Sequence, residues 1–191
     1  MKKITLLSAI LFGIAFTACK NNPKKDKSAT ENLKEMIKNS PGLNKGSDTY
    51  SITAPQGWNK SDTVLYGVKI TTIKSPLEGL GDNFMENITC VTESARNYDL
   101  KKYAEQNKES MQTQMAGVRF LSEKELTIGD NAAIAMVYNF KYSVYDLKNT
   151  AYFLVKNNTG YVLTCSAVYS KFNKFQSVFT ECIKSFTIKN R

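Results

Sequence analysis

Histidine is absent from all 191 residues of this chain. Its absence removes the commonest zinc ligand, the usual general base, and any Ser-His or Cys-His nucleophile pair. Histidine-based catalysis is therefore excluded, and acid-base or nucleophilic chemistry would have to use Asp, Glu, Tyr, Lys or Cys. No convincing catalytic constellation of those residues stands out, so the sequence predicts a protein that is not an enzyme.

Cysteine is scarce, with Cys19, Cys90, Cys165 and Cys182 and no C-x-x-C spacing. This spacing argues against a zinc knuckle or a thioredoxin-like redox site, and no metal site or cofactor is predicted. Cys165 and Cys182 lie on apolar stripes of a predicted strand and helix, so one disulfide between them is conceivable in an oxidising compartment. The alternative is that the last three cysteines are buried free thiols, because free cysteine is among the most buried residue types.

Long apolar runs are missing after residue 18, where no stretch approaches the 18 residues expected of a membrane-spanning helix. The apolar run at residues 4–18 follows Lys2 and Lys3, and it is too short to remain in a bilayer as a membrane-spanning helix. It predicts a signal peptide over residues 1–18. Its end, Phe16-Thr17-Ala18-Cys19, resembles a bacterial lipobox, in which the cysteine is joined to diacylglycerol. Cys19 is therefore the predicted lipid attachment site.

Lipidation at Cys19 would place the protein in the bacterial cell envelope, attached to the membrane through its N-terminal lipid. Each buried CH2 of an acyl chain contributes about 0.8 kcal/mol, so two or three chains on one residue give stable anchoring. Lys20 follows the cysteine, as in lipoproteins released to an outer membrane rather than retained at an inner one by an acidic residue. We therefore expect an outer-membrane location, with the leaflet left open. The alternative is an ordinary secretory signal in which Cys19 is incidental.

Basic residues exceed acidic ones, and the formal net charge is +9. The lysines are spread among asparagines and serines and form no basic block. Scattered lysines are typical of a solvated surface, whereas a nucleic-acid site needs a concentrated patch. No nucleic-acid partner is predicted.

Residues 19–48 contain no aromatic residue and are rich in Lys, Asn and Ser, a composition that cannot bury enough surface to fold alone. They are predicted to be a lipidated tether, with a possible short helix after the capping pattern Ser28-x-x-Glu31. Residues 49–191 have the length of one domain with one core.

Within that domain, period-two and helical patterns predict an α+β fold, with an antiparallel sheet of about six to seven strands packed with two main helices. The final helix is clearest, because its phenylalanines follow helical spacing from Phe172 onward. The predicted strands are 49–54, 64–73, 85–92, 118–128, 132–145, 150–156 and 160–169, with the first helix at 99–115.

An opening strand that runs into Pro55-Gln56-Gly57-Trp58, and a helix entered through Tyr98-Asp99-Leu100, resemble the PsbP-like and DcrB-like families. The resemblance covers roughly residues 49–189. It implies an antiparallel sheet between helical layers, in a group of mostly non-enzymatic exported proteins that help to assemble or stabilise other complexes. The photosynthetic relatives' metal site includes histidine and cannot be transferred to this chain. Pro55, Gly57 and Trp58 are the family landmarks, and Trp58 is interpreted as a packing anchor.

Three functions are weighed. The first is a lipid-anchored envelope protein that acts as a binding or accessory module for an envelope complex, with an envelope protein as its partner. The second is a carrier or sensor of a small apolar ligand held between helix and sheet. The third is an enzyme that uses Glu123 and Glu125, which share a strand face; surface glutamates in salt bridges are the more ordinary interpretation of that pair.

Overall fold

The computed structural model describes residues 49–65 and 68–189. The predicted signal peptide, Cys19 and the predicted tether lie outside these residues. The elements follow the order β1 (Thr49–Ser51), β2 (Asn59–Leu65), β3 (Val68–Lys74), β4 (Asn87–Ser94), α1 (Leu100–Gln114), β5 (Arg119–Ile128), β6 (Asn131–Tyr142), β7 (Tyr145–Lys156), β8 (Thr159–Val168), α2 (Phe172–Lys184) and β9 (Thr187–Lys189).

Seven strands form one antiparallel sheet in the order β2-β3-β4-β8-β7-β6-β5, and β1 pairs with β9 in a separate two-stranded ribbon. The predicted α+β class, strand number and helix number are confirmed. Strand β8 is central and almost completely buried, because a helix covers each face of the sheet there.

The strands differ from the prediction in three places, one of which is β9, a strand that was not predicted. The single strand expected at 64–73 is a hairpin of β2 and β3. Strand β2 has exposed, mostly polar side chains that carry no period-two signal, because it lies at a sheet edge. The strand expected over 132–145 ends at Tyr142, and β7 already begins at Tyr145 after the two-residue turn Ser143-Val144. This turn contains no Gly, Asn or Pro, so the usual sequence signal for a hairpin is missing.

Helix α1 covers one sheet face. Its N-cap is Asp99, whose side chain accepts a hydrogen bond from the backbone N–H of Lys102, as the sequence predicts. Tyr103 and Met111 are buried on the helix side. They belong to one apolar cluster with sheet residues that include Ile134, Met136 and Phe153.

Helix α2 covers the opposite face with an apolar stripe whose buried members are Phe172, Phe175, Phe179, Cys182 and Ile183. Trp58 packs edge-on against Phe175 and Phe179, with ring centroids about 6 Å apart. The interpretation of Trp58 as a packing anchor agrees with these contacts.

The sheet has two ends, which we name by the strand termini found there. The proximal end contains Val68, Ser94, Thr159 and Ile128, and the described chain enters the fold beside it through Tyr50, whose ring lies under the Lys69 ammonium. The distal end contains the loop 75–86, the turn 143–144, the turn 169–171 before α2 and the turn 115–118 after α1. These four connections meet there because the strands are antiparallel throughout.

Candidate functional site

Exposed apolar side chains are concentrated at the distal end. Six large apolar side chains among the described residues are exposed, and five of them lie on distal connections or beside them: Leu77, Leu80, Leu121, Val144 and Tyr169. Single exposed apolar residues are ordinary on a protein surface, but a group at one end of a domain is typical of an interaction site. This group is the candidate functional site.

Val144 is the least ordinary member. It lies at the tip of the β6–β7 hairpin with 85% of its surface exposed, after Ser143 at a φ of 55°. Tight hairpin turns favour Asn and Gly, which tolerate positive φ. The β7–β8 turn at the proximal end follows that rule, since Asn157 and Asn158 both have positive φ. Val144 is thus not explained by the needs of the turn.

The loop 75–86 exposes Leu80 completely, between Gly79 and Gly81, which have φ values of 93° and 95°. Non-glycine residues rarely adopt such φ values, so the two glycines allow the chain to reverse around the leucine. The side chain is therefore presented outward by the backbone geometry of this loop.

Ion pairs fasten the same loop to the start of α2. Lys171 contacts Asp82 at 3.1 Å and Glu78 at 3.6 Å, and Lys174 also pairs with Glu78. The hydrogen bond from Lys174 lowers the pKa of Glu78. Burial alone would raise the pKa of Asp82, but the backbone N–H of Glu78 and the Lys171 ammonium outweigh burial and lower it. The loop is held in place at neutral pH by these charged contacts.

Glu86 closes the loop and is fully buried. Its Oε2 accepts a 3.2 Å hydrogen bond from the Ser75 hydroxyl, while its Oε1 has no hydrogen-bond partner among the described residues. Burial raises the pKa of this carboxyl, and nearby Lys171 opposes that rise. A carboxyl group in this position destabilises the folded loop whenever it is ionised.

A surface groove of about 750 Å3 opens between the distal turns. Its lining includes the apolar residues Phe140, Val144, Leu147, Val168 and Tyr169, with Arg119, Asn139, Lys141 and Asp146 as polar members. The volume lies within the range of small-molecule and peptide sites, about 300–1,000 Å3. The exposed Val144 and Tyr169 therefore belong to a concave surface and not to a flat one.

A row of buried polar side chains crosses the α1 face of the sheet, one step in from the distal end. Asn87, Ser166 and Asn149 are directly opposite one another on β4, β8 and β7, and all are at most 1% exposed. Neither amide atom of Asn149 has a hydrogen-bond partner among the described residues. An unpaired buried polar group costs about 1–3 kcal/mol, so this row lowers the stability of the fold.

The three cysteines of the domain are buried free thiols, so the possible Cys165–Cys182 disulfide is not formed in the structure. Burial raises the pKa of Cys90 to about 12 and that of Cys182 to about 11, and raises the pKa of Cys165 as well. Thiols with raised pKa values stay protonated at neutral pH and are poor nucleophiles and metal ligands. They act as core residues, and the Cys182 thiol donates to the Thr53 carbonyl at 3.2 Å.

The predicted landmark residues Pro55, Gly57 and Trp58 form a turn in which the Trp58 N–H donates to the Pro55 carbonyl at 3.1 Å and Gly57 has a φ of 78°. The glycine is needed because other residues are strained at that φ. The landmarks therefore direct the chain from β1 into β2 and place Trp58 against α2. They lie outside the groove.

Glu123 and Glu125 share one face of β5, as predicted, and each pairs with a lysine of α1: Glu123 with Lys108 at 2.9 Å, and Glu125 with Lys101 at 3.2 Å. The space between α1 and β5, about 740 Å3, is lined almost entirely by charged side chains. Salt-bridging surface glutamates describe this pair better than a carboxylate catalytic dyad. A cavity with this lining does not suit a small apolar ligand.

Within residues 49–65 and 68–189, no three His, Cys, Asp or Glu side chains are grouped as a metal site would need. Over the same ranges, none of the helices has the length and apolar character required to cross a bilayer.

No protein-family model and no curated protein matches this chain. Solved structures do match. LpqN, described as involved in cell envelope biogenesis of Mycobacterium tuberculosis, aligns over 80% of this chain and 87% of its own with 14% identity and a TM-score of 0.57. PA94 of Pseudomonas aeruginosa, a protein of unknown function, aligns over 76% and 100% with 14% identity and a TM-score of 0.55. The cyanobacterial PsbP of Synechocystis aligns over 73% and 86% with 12% identity and a TM-score of 0.53.

At these identities the likeness concerns the fold. The chain has a PsbP-like fold, which confirms the structural part of the resemblance noted in the sequence. Fold alone does not determine function, which depends on the particular site that a chain builds on it.

Proposed function

We propose that this protein is a non-enzymatic, lipid-anchored accessory protein of the bacterial cell envelope, and that its distal end docks onto a protein partner in an envelope complex. Lipid attachment at Cys19 would hold it to the membrane, in our expectation the outer membrane. LpqN, which has a similar fold, is described as involved in cell envelope biogenesis, and this description is compatible with such a role.

The observation that carries the proposal is the placement of the exposed apolar side chains relative to the start of the domain. The described chain enters beside the proximal end, whereas Leu80, Val144 and Tyr169 are exposed at the distal end. An anchor that precedes Thr49 would join the domain beside its proximal end, so the distal end would carry no connection to the membrane. The apolar group at the distal end would then stay accessible to other envelope proteins.

Docking can be tested by photo-crosslinking in living cells, with a photoreactive residue in place of Val144 or Leu80. The matched control is Val64, which is also an exposed valine but lies near the proximal end. We expect one defined adduct from the distal positions and none from Val64. Equal capture of the same abundant proteins from Val64 and Val144 would show that the distal end is not a specific docking site.

Anchoring is tested separately with Cys19→Ser. We expect the substituted protein to leave the membrane fraction and to stay folded, because Cys19 lies outside the domain. Persistence of Cys19→Ser in membranes after a carbonate wash would contradict lipid attachment, whatever the crosslinking result.

A further inference from the structure

The distal groove carries an uneven distribution of charge. Arg119, Lys141 and Asp146 line it, and Lys148 lies beside it with its ammonium 4.8 Å from the Phe172 ring centroid and 5.9 Å from the Tyr169 ring centroid. Lys141 and Asp146 form a pair at 3.6 Å, with both side chains well exposed. Neither Arg119 nor Lys148 forms an ion pair with any of the described residues. The groove therefore has two cations whose charge is not offset locally.

The strand register brings these two cations onto one face. Arg119 on β5 is directly opposite Asn139 on β6, and Asn139 is directly opposite Lys148 on β7. Side chains directly opposite one another in antiparallel strands have Cβ atoms about 5 Å apart, so the two cationic residues flank Asn139 at about 10 Å from each other. A carboxylate above Asn139 is within reach of both flexible side chains.

Asn139 adds a neutral hydrogen-bonding group between the cations. It is partly buried, and its carboxamide oxygen accepts no hydrogen bond from the described residues. A buried acceptor without a donor is unfavourable until a donor arrives. A backbone N–H of an extended peptide is a donor of the right size.

Apolar contact would come from Val144 and Tyr169 at the rim, which are 85% and 51% exposed. An extended peptide places alternate side chains on the same side. It can thus direct apolar side chains to the rim and an acidic side chain to the cations.

We infer that the distal groove recognises an extended segment of the partner protein that combines apolar side chains with an acidic one. The carboxylate is held between Arg119 and Lys148, and a peptide N–H donates to Asn139. This inference rests on the proposed docking function and specifies the chemistry of the partner.

The test uses the full chain carrying Cys19→Ser and three fluorescent ten-residue peptides. The first carries Leu or Phe and Asp by turns at every second position, with Ser between them, so that the apolar and acidic side chains share one side of the extended chain. The second has Lys in place of Asp, and the third has Ser in place of the apolar residues. We expect anisotropy to show binding of the first peptide that weakens as salt is raised, and weaker binding of the other two.

Charge reversal at the cations provides the matched variants. We expect the double variant Arg119→Glu with Lys148→Glu to bind the acidic peptide about tenfold more weakly, in keeping with the modest strength of exposed ion pairs. The same variant should bind the lysine peptide more tightly. The control is Lys156→Glu, on the same strand and the same face as Lys148 but about 27 Å away at the proximal end. Lys156→Glu should leave the affinity unchanged.

Equal affinity for the acidic and lysine peptides, or an equal loss in Lys156→Glu, would overturn the inferred chemistry. Either result leaves the crosslinking experiment at Val144 as an independent test of whether the distal end docks onto a protein at all.

Discussion

The proximal and distal ends of this sheet are built from the same kinds of connection, yet they differ in whether the residues of those connections stabilise the fold. At the proximal end, Asn158 accepts hydrogen bonds from the backbone N–H groups of Ala95 and Asn97. Glu93 accepts a 2.8 Å hydrogen bond from the buried Tyr103 hydroxyl. The polar side chains there satisfy the backbone or each other, as expected of a structural region.

At the distal end, by contrast, several features lower the stability of the fold. Glu86 is a buried carboxyl with one unpaired oxygen, the Asn149 amide is unpaired, and Val144 and Leu80 expose apolar surface. Natural proteins depart from good local chemistry mainly at functional sites. The difference between the two ends therefore supports a functional role for the distal one.

The largest effect is expected from Gly160→Ala at the proximal end. A Cβ at this position would clash with the ring and hydroxyl of Tyr103, which is fully buried. Overpacking of this kind costs about 1–3 kcal/mol, and we expect the upper part of that range because the ring is fixed by Glu93. Urea unfolding measures the loss. If Gly160→Ala proved neutral, or if the added change Tyr103→Leu restored nothing, the proximal end would be less tightly packed than described.

A smaller effect of opposite sign is expected from Asn149→Leu. Replacing an unpaired buried amide by an apolar side chain of similar size should raise the free energy of unfolding by about 1 kcal/mol. The control is Asn107→Leu in α1, which removes a satisfied 2.9 Å hydrogen bond to the Tyr103 carbonyl and should destabilise the fold. Destabilisation by Asn149→Leu would mean that the polar row supports the distal half of the sheet.

The pH dependence of stability should have opposite signs for Glu86 and for the nearby Glu78 and Asp82. Because its pKa is raised in the folded state, the folded protein binds the proton more tightly, and stability falls as the pH rises from the usual glutamate range through that raised pKa. Glu78 and Asp82 have lowered pKa values, so they stabilise above their usual ranges and lose that contribution as the pH falls. Glu86→Gln should therefore raise the melting temperature at neutral pH.

That gain should shrink as the pH is lowered below the usual pKa range of glutamate, where Glu86 is protonated in both states. Thermal melts across pH 3–8 would check it. An equal gain at every pH would assign the effect to packing instead of ionisation.

The smallest effect on stability is expected from Val144→Ser and Leu80→Ser. Exposed substitutions away from strained positions usually stay within about 0.5 kcal/mol, and Val64→Ser should behave in the same way. Partner capture should be measured in the same variants, because only the distal substitutions should reduce the yield of the crosslinked adduct. A large loss of stability in Val144→Ser would make the hairpin tip a structural element like the proximal turns.

Much of the fold is predictable from local patterns. The Asp99 cap, the apolar face of α1 and the phenylalanine stripe of α2 agree with the structure, since each depends on residues a few positions apart. The β2–β3 hairpin and the early start of β7 are not predictable in the same way. An edge strand has no buried face to impose a period, and Ser143-Val144 lacks turn residues.

The candidate site was not predictable from local patterns either. Glu123, Glu125 and the cysteines are recognisable in the sequence because acids and thiols carry chemistry, and the structure places them in surface salt bridges and in the core. Val144 and Leu80 are single apolar residues that belong to no periodic pattern. A hairpin tip occupied by valine and a leucine between two glycines were the only local signals.

Composition and periodicity, which are properties of the chain alone, were enough to exclude histidine chemistry, to locate both helices and to predict the class of fold. The predicted lipid attachment at Cys19 also comes from the sequence and lies outside the described residues. Only the tertiary structure showed that Leu80, Val144 and Tyr169 share one end, and that Arg119 and Lys148 flank Asn139. These residues are far apart in sequence, and it is antiparallel pairing that brings distant turns together at one edge of the sheet.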